Sequence, residues 1–373
     1  ATTSTSPARR RRWPWYAALA AVVAAALAVP RVVRGTGGGA ANATHERRAP
    51  DPDDPWAKAN TPPPPGPARP VVPLGPGDRE AIRRELAEHA RHVAGDLRSV
   101  IGVSLAELRA DAALGPAVTA GSHSLIMGTV SSMLVGRCDF DLAGRARWLI
   151  LGVDSGSDFD LIARGDWTRD DIERCLMQGR EGEAKRIAAS GASADLGDEP
   201  LTQIPLDGAD SHRFQTVGWL DDHTFVTSTR AGADADYITE RLVGAREAQP
   251  SALTAALTGL DRRSTMWLAS TREGFDDVVE QPALRGAAMT AHFSLTDQGG
   301  EFGVVLAYDD VAAANGAHDY LDRQLAAMAD GGLLGAALPG LAIERKGTSV
   351  QIGASVPRAF LAPLRDQLVK AMP

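Results

Sequence analysis

The sequence predicts an α+β fold: a tandem duplication of an antiparallel sheet with helices packed on one face, preceded by one N-terminal transmembrane helix. Three observations predict it. Short apolar runs bounded by Asp, Ser and Gly come in adjacent pairs, which is the pattern of hairpins and not of parallel strands. The order strand, acidic helix start, amphipathic helix occurs twice, at FDLIARGDWTRDDIERCL (159–176) and FGVVLAYDDVAAANGAHDYL (302–321). Residues 9–34, RRRRWPWYAALAAVVAAALAVPRVVR, combine a basic cluster, an aromatic triplet and a long apolar run.

The N-terminal elements follow from charge and hydropathy. Residues 1–12 form a basic tail. From Trp13 to Val33 only Arg31 is charged, and a stretch of about 20 apolar residues crosses a bilayer. Trp13, Trp15 and Tyr16 suit the headgroup region, and the four arginines ahead of the span against two after it hold the N-terminus in the cytoplasm. The lipid bilayer is thus the expected partner of residues 13–33, with the rest of the chain periplasmic or extracellular. Ala26 and Ala28 leave a cleaved signal peptide as the alternative; both readings export the same body. No cysteine stands directly after the span, which speaks against a lipid-modified N-terminus.

Residues 34–77 read as a proline-rich disordered linker. Residues 50–76 hold 11 of the 23 prolines, and such a segment favours extended polyproline II, which at about 3.1 Å per residue reaches roughly 80 Å. Residues 1–48 carry eight arginines against one glutamate, net +7, so the total of −8 leaves −15 for residues 49–373. An acidic body without a basic stripe does not suit nucleic acid. Arginine supplies 35 of the 39 basic residues, a compositional bias of GC-rich bacteria.

The first repeat is placed at residues 78–259. Ile82, Leu86, Ala90, Val93 and Leu97 form one helical stripe. A strand at Val100–Leu105 and a helical region from Ala106 to Val135 follow. RWLILGV (147–153) and FDLIARGDW (159–167) pair through a DSGSD turn. Thr168 and Asp171 make a capping box for a helix carrying Ile172, Cys175 and Leu176. Short strands near 185–190 and 201–206 precede a hairpin turning on Asp221 and Asp222, and a helix from Ala233 to Val243 closes the half.

The second repeat is placed at residues 260–373. Strand STMWLAS (264–270), a short helix and the hairpin 287–295/301–308 lead to a helix starting at Asp309 or Asp310. That helix carries Val311, Ala314, His318, Leu321, Leu325 and Met328 at 3–4 spacing. LAIERKG and TSVQIGAS pair as another hairpin. Pro357 opens the last helix, with Phe360, Leu361, Leu364 and Leu368 on one side.

Cys138 and Cys175 are the only cysteines. In an exported body they form either a disulfide or two separate buried thiols; the bridge closes a 38-residue loop, worth roughly 4 kcal/mol. Neither has a His or a second Cys at ligand spacing. Cys-Asp-Phe-Asp (138–141), the strand end Arg-Gly-Asp-Trp (164–167) and the helical Asp-Asp-Ile-Glu-Arg-Cys (170–175) resemble a pattern in uncharacterised envelope proteins and lipoproteins of myxobacteria. Those read Cys-Gly-[Phe/Ile]-Asp, a hairpin ending in Arg-Gly-x-[Phe/Leu]-Asp, then a helix with the second Cys. Here Asp139 replaces the glycine, and Trp167-Thr168 stands where the pattern has an apolar residue and Asp. The resemblance spans residues 100–373 and implies an envelope location and a disulfide, with no known activity.

Other constellations read as structure. Asp154, Asp158 and Asp160 lack the frame and distal glutamate of a calcium loop, and Arg164-Gly165-Asp166 ends a strand beside a helix cap. GSHSL (121–125) lacks the G-x-S-x-G frame that would make Ser122 or Ser124, beside His123, a nucleophile. Glu85, His89 and His92 share a helical face and read as solvated; Asp221-Asp222-His223 reads as a turn. The sequence therefore offers no catalytic, cofactor or metal residue. It points to a non-enzymatic, membrane-anchored envelope protein, a binding or structural module whose partner is an envelope protein or a lipid. A carrier of apolar ligands is the second reading and a hydrolase the third.

Overall fold

The computed structural model describes residues 74–93, 95–116, 142–154, 159–177, 183–189, 198–205, 214–230, 232–244, 251–329 and 341–363. The expected cytoplasmic tail, transmembrane span and linker up to residue 73 lie outside them. Among the described residues no helix is long and apolar enough to cross a membrane.

The strands are β1 (Ser99–Val103), β2 (Ala146–Val153), β3 (Phe159–Gly165), β4 (Lys185–Ile187), β5 (Leu201–Pro205), β6 (Phe214–Asp221), β7 (Thr224–Ser228), β8 (Met266–Ser270), β9 (Ala288–Thr296), β10 (Gly299–Ala307), β11 (Ala342–Lys346) and β12 (Ser349–Pro357). The helices are α1 (Pro76–His89), α2 (Leu105–Ala110), α3 (Leu142–Arg145), α4 (Arg169–Met177), α5 (Ala235–Val243), α6 (Ala252–Thr258), α7 (Arg272–Asp276) and α8 (Val311–Ala329). All the strands join one antiparallel sheet in the order β11-β12-β10-β9-β8-β1-β2-β3-β7-β6-β5-β4.

The two halves meet where β1 pairs with β8. Outward from that pair, β2, β3 and the hairpin β6–β7 match β9, β10 and the hairpin β11–β12, with β7 and β12 on the inside. Two backbone hydrogen bonds mirror each other across the junction: Ser104 N donates to Thr265 O, and Thr271 N to Arg98 O, both at 2.8 Å. Ser104 and Thr271 each occupy the N-cap of the helix after the central strand. Ile101 leads through Leu151 to Leu161 on one side; its partner Leu268 leads through Ala291 to Val304 on the other. Leu161 and Val304 stand at the same offset as Phe159 and Phe302 in the sequence comparison. The strands β4 and β5 have no counterpart in the second half.

Helices pack on both faces, which corrects the expectation of one covered face. In β2, Trp148 and Ile150 are buried in one apolar cluster, Leu149 and Leu151 in the other. A strand apolar on both alternations needs cover on both sides. Ile82 and Leu86 of α1, Ile238 and Leu242 of α5 and Leu253 of α6 supply one layer; α2, α4, α7 and α8 supply the other. The second half does keep one covered face: Met289, Phe302, Val304 and Ile352 are buried, while Thr290, His292, Ser294 and Gln351 between them are partly exposed. Helix α6 packs on β8 and β9, so it belongs with the strands that follow and a boundary at 259/260 falls behind it. The expected long helix from residue 106 is α2 alone as far as residue 110, and most of its remainder lies outside the described residues. Charged side chains mark both sheet edges, Lys185 and Arg186 on β4 and Glu344, Arg345 and Lys346 on β11, which disfavours pairing with another sheet.

Gly102 lies at the junction, opposite Trp267. A Cβ there would stand 2.1 Å from Trp267 Cε2, and the indole is itself only 1% exposed. Overpacking of that kind costs about 2 kcal/mol or more. G102V should lower the urea midpoint accordingly with an unchanged m-value; an unaltered midpoint would show that the indole does not depend on the bare backbone.

Candidate functional site

Three polar centres stand out among the described residues. The first clasps the two halves. Glu107 lies on the buried side of α2 with Leu105 and Leu108 and is 2% exposed. Arg83 of α1 meets it with a fork, Nε to Oε1 at 3.1 Å and Nη2 to Oε2 at 2.7 Å. The same Nη2 donates to Thr265 Oγ1 and to Leu295 O, in the second half, and Thr265 Oγ1 donates to Glu107 Oε2. Both carboxylate oxygens are satisfied, the condition under which a buried ion pair is tolerated.

The second centre holds Glu85, His89 and His92, which the sequence reading left in solvent; the structure corrects this. Helix α1 lays Glu85 and His89 on β2 and β3, because its apolar stripe at Ile82 and Leu86 turns that face inward, and His92 follows in the 3-10 turn Ala90–His92. His89 Nδ1 bonds Glu85 O at 2.7 Å and its ring lies 4.7 Å from that of Trp148. Glu85 accepts from Trp148 Nε1 and faces Arg164. His92 is 4% exposed; its Nδ1 donates to Arg241 O at 2.7 Å and its Nε2 accepts from Arg91 Nε. That pairing requires neutral imidazole, and burial lowers the His92 pKa to about 4. Burial also lowers that of His89. Among the described residues no cluster is able to hold a metal ion.

The third centre lies beneath a surface depression. Glu173 of α4 accepts from Arg169, Arg186 and Thr202; burial alone would raise its carboxyl, but these donors outweigh burial and hold it below the usual range. Trp219 donates to Thr202 Oγ1, with Arg169 over its ring at 5.5 Å. Above them opens a shallow depression of about 490 Å³ whose rim carries Asp198, Glu199, Asp221 and Asp222, with Arg186 among its lining. It lies on the side extended by β4 and β5. Its chemistry suits a polar or cationic group of a partner better than an apolar chain.

Of the remaining candidates, Asp154 and Asp160 share one network, because Arg230 donates both to Asp154 and to the Tyr237 hydroxyl that bonds Asp160; the others lie apart. Asp154 accepts from Arg230 at 3.1 Å. Asp160 is buried and bonded by the Tyr237 hydroxyl at 2.8 Å, with its pKa raised by that burial; Asp158 lies outside the described residues. Arg164 donates to Asp221 and Thr224, and Gly165 packs under Trp167, so the Arg-Gly-Asp triplet is a strand end. Asp221 caps its own turn through His223 N at 2.8 Å. Thr168 and Asp171 form the reciprocal cap of α4. Ser122, His123, Ser124 and Cys138 lie outside the described residues. Cys175 is buried beside Ile172 and Leu176 and is not free. The clasp escaped sequence reading because Glu107 and Thr265 are 158 positions apart; the only signal was an acid within Leu-Ala-Glu-Leu.

No family model matches the chain. No curated protein matches it either. Two solved structures of TP0453 do. Crystal form III shares 11% identity, covering 74% of this chain and 97% of that one, with a TM-score of 0.42; crystal form I shares 12%, covering 74% and 96%, with a TM-score of 0.38. Likeness this loose transfers no ligand, partner or activity.

Removing Arg83 should strand Glu107 in the interior. R83A is expected to cost about 3–5 kcal/mol, and R83M/E107L to recover most of it; a loss below about 1 kcal/mol in R83A by urea unfolding would show the clasp to be idle. For His92 the folded state binds its proton more weakly than the unfolded chain does. Its contribution is complete above the unfolded value of 6.5 and is lost as pH falls from there towards about 4, in total roughly 3 kcal/mol. H92Q should flatten the fall in stability between pH 6.5 and 4.5; an equally steep profile in the variant would assign the slope to other groups.

Proposed function

We propose that this chain is a membrane-anchored bacterial cell-envelope protein whose body, outside the cytoplasm, is a non-enzymatic binding or structural module. One observation carries the second part. Of the buried ionisable groups, Glu107, Glu173 and His92 are each held by donors or acceptors on other elements, so their charge state and position serve the packing of the sheet and its helices. Residues 13–33 support the first part: their length and arginine flanks suit a single span with the N-terminus inside.

The matching strand orders and mirrored junction bonds support an origin of the body by tandem duplication. The resemblance to myxobacterial envelope proteins supports a Cys138–Cys175 bridge, and the burial of Cys175 on the inner face of α4 agrees with it. Carriage of apolar ligands is the weaker reading: Leu149, Leu151, Phe159, Leu161 and Phe225, which would line a cavity under the hairpins, are buried in one cluster with Trp167, Ile172 and Leu176.

A C-terminal alkaline phosphatase fusion should be active and the matching cytoplasmic reporter silent. The exported chain, denatured without reductant, should give no reaction with a thiol reagent. Activity of the cytoplasmic reporter would remove the envelope assignment, and two reactive thiols would remove the bridge. Lipid recovered from the purified body without any crosslinked protein partner would favour the carrier.

A further inference from the structure

Helix α5 is held against the body differently at its two ends. At the first turn Asp234 caps Tyr237 N at 2.9 Å, and the Tyr237 hydroxyl donates to buried Asp160 while accepting from Arg230 Nη1 at 3.0 Å. Arg230 donates in turn to Asp96 and Asp154, so opposite charges tie this end down. The backbone of the last turn is tied by one imidazole. His92 Nδ1 donates to Arg241 O, which also accepts from Gly244 N. Gly244, in the left-handed region at φ 74°, lies against the His92 ring. The Arg241 side chain turns back over the Tyr237 ring, 4.0 Å from Asp160.

The tie at the last turn fits only a neutral ring. Nε2 accepts from Arg91 Nε at 3.3 Å, and a proton on Nε2 would set N–H against N–H. The titratable and charged groups facing the ring are Arg91 from its own turn, His89 of α1 at 5.7 Å between ring centroids, and Arg241 of α5. None of them is a carboxylate, so a cation there has no partner and must reach water. His89 bonds Glu85 O in its own helix and does not touch the end of α5 in that way. The other anchor responds to acid in the opposite sense. Burial raises the Asp160 carboxyl, so protonation there relieves a buried charge and favours the packed arrangement.

We propose that His92 is an acid-operated latch: its protonation frees the last turn of α5, Arg241 to Gly244, while the Tyr237 end stays anchored. Leu242 then lifts off the sheet. It lies against Gly218 of β6, whose neighbours across the strands are Leu201 of β5 and Val226 of β7; release uncovers an apolar strip that stays closed at neutral pH. The packed ring has a pKa of about 4, against 6.5 once freed. The latch is therefore complete above pH 6.5 and weakens as pH falls towards 4, and at pH 4.5 the balance has moved towards release on the order of a hundredfold.

The latch does not depend on which side of a membrane the body occupies. Its test places a nitroxide, attached at neutral pH, on V243C or on D236C of the full chain, with the unsubstituted chain as blank. Val243 is half-buried beside the latch and Asp236 is exposed at the anchored end. From pH 7.5 to 4.5 the mobile fraction at position 243 should rise at least fivefold and reversibly, with position 236 and the far-ultraviolet circular dichroism unchanged. H92Q, whose amide can donate to Arg241 O and accept from Arg91 without titrating, should hold the rise below about twofold. R91Q, at an exposed position, removes the donor that opposes a proton on Nε2 and should at least halve the rise. No rise at 243, an equal rise in both H92Q and R91Q, or loosening of both positions together with loss of the helical signal would overturn the latch, the last assigning the acid response to unfolding of the whole body.

Discussion

The architecture depends on one antiparallel pairing, β1 with β8. Each is the first strand of its half, and their union makes a single sheet from two sets of hairpins. The constraint is steric as well as hydrogen-bonded: the indole of Trp267 lies where a side chain at position 102 would be. Around that contact the layout is close to twofold, with Ser104 and Thr271 placed alike as N-caps and bonded alike to the opposite half. A twofold axis perpendicular to the sheet keeps each face on its own side, which is why α2 and α7 share one apolar cluster and α1 and α6 the other.

Polar groups inside the body follow from the same geometry. Once α1 crosses the junction, an ionisable side chain on its inner face must find a partner or lose its charge. Arg83 does the first through Glu107 and Thr265; His92, in the 3-10 turn that continues α1, does the second, bonded as neutral imidazole between Arg91 and Arg241. The elements that break the twofold order are the ones with surface character of their own. The strands β4 and β5 extend the first half and border the depression over Glu173, while the second half leaves one face of β10 and β12 without a helix among the described residues.

How much was legible varied with the range of the interaction. The hairpin of β2 and β3 was readable because seven consecutive residues carry their own strand pattern and turn chemistry. The cap of α4 was readable because Thr168 and Asp171 are three residues apart, within reach of each other whatever the fold. The second layer of helices was not: RWLILGV reads equally as one-sided or two-sided, since continuous apolar runs carry no alternation. His89 at the end of α1 and His92 just after it were misread as solvated because their burial is imposed by β2 and α5, distant in sequence.

By itself, then, the sequence determined the class of the fold, its hairpins, the order of elements in each half, and the contrast between an arginine-flanked apolar leader and an acidic body. These depend on side-chain period, turn residues and charge, all local properties of the chain. Only the tertiary structure decided that the halves share one sheet, that both faces of the first half are covered, and that Arg83, Glu107 and Thr265 meet. Those depend on which strand finds which partner across more than a hundred residues, and a linear pattern leaves that choice open.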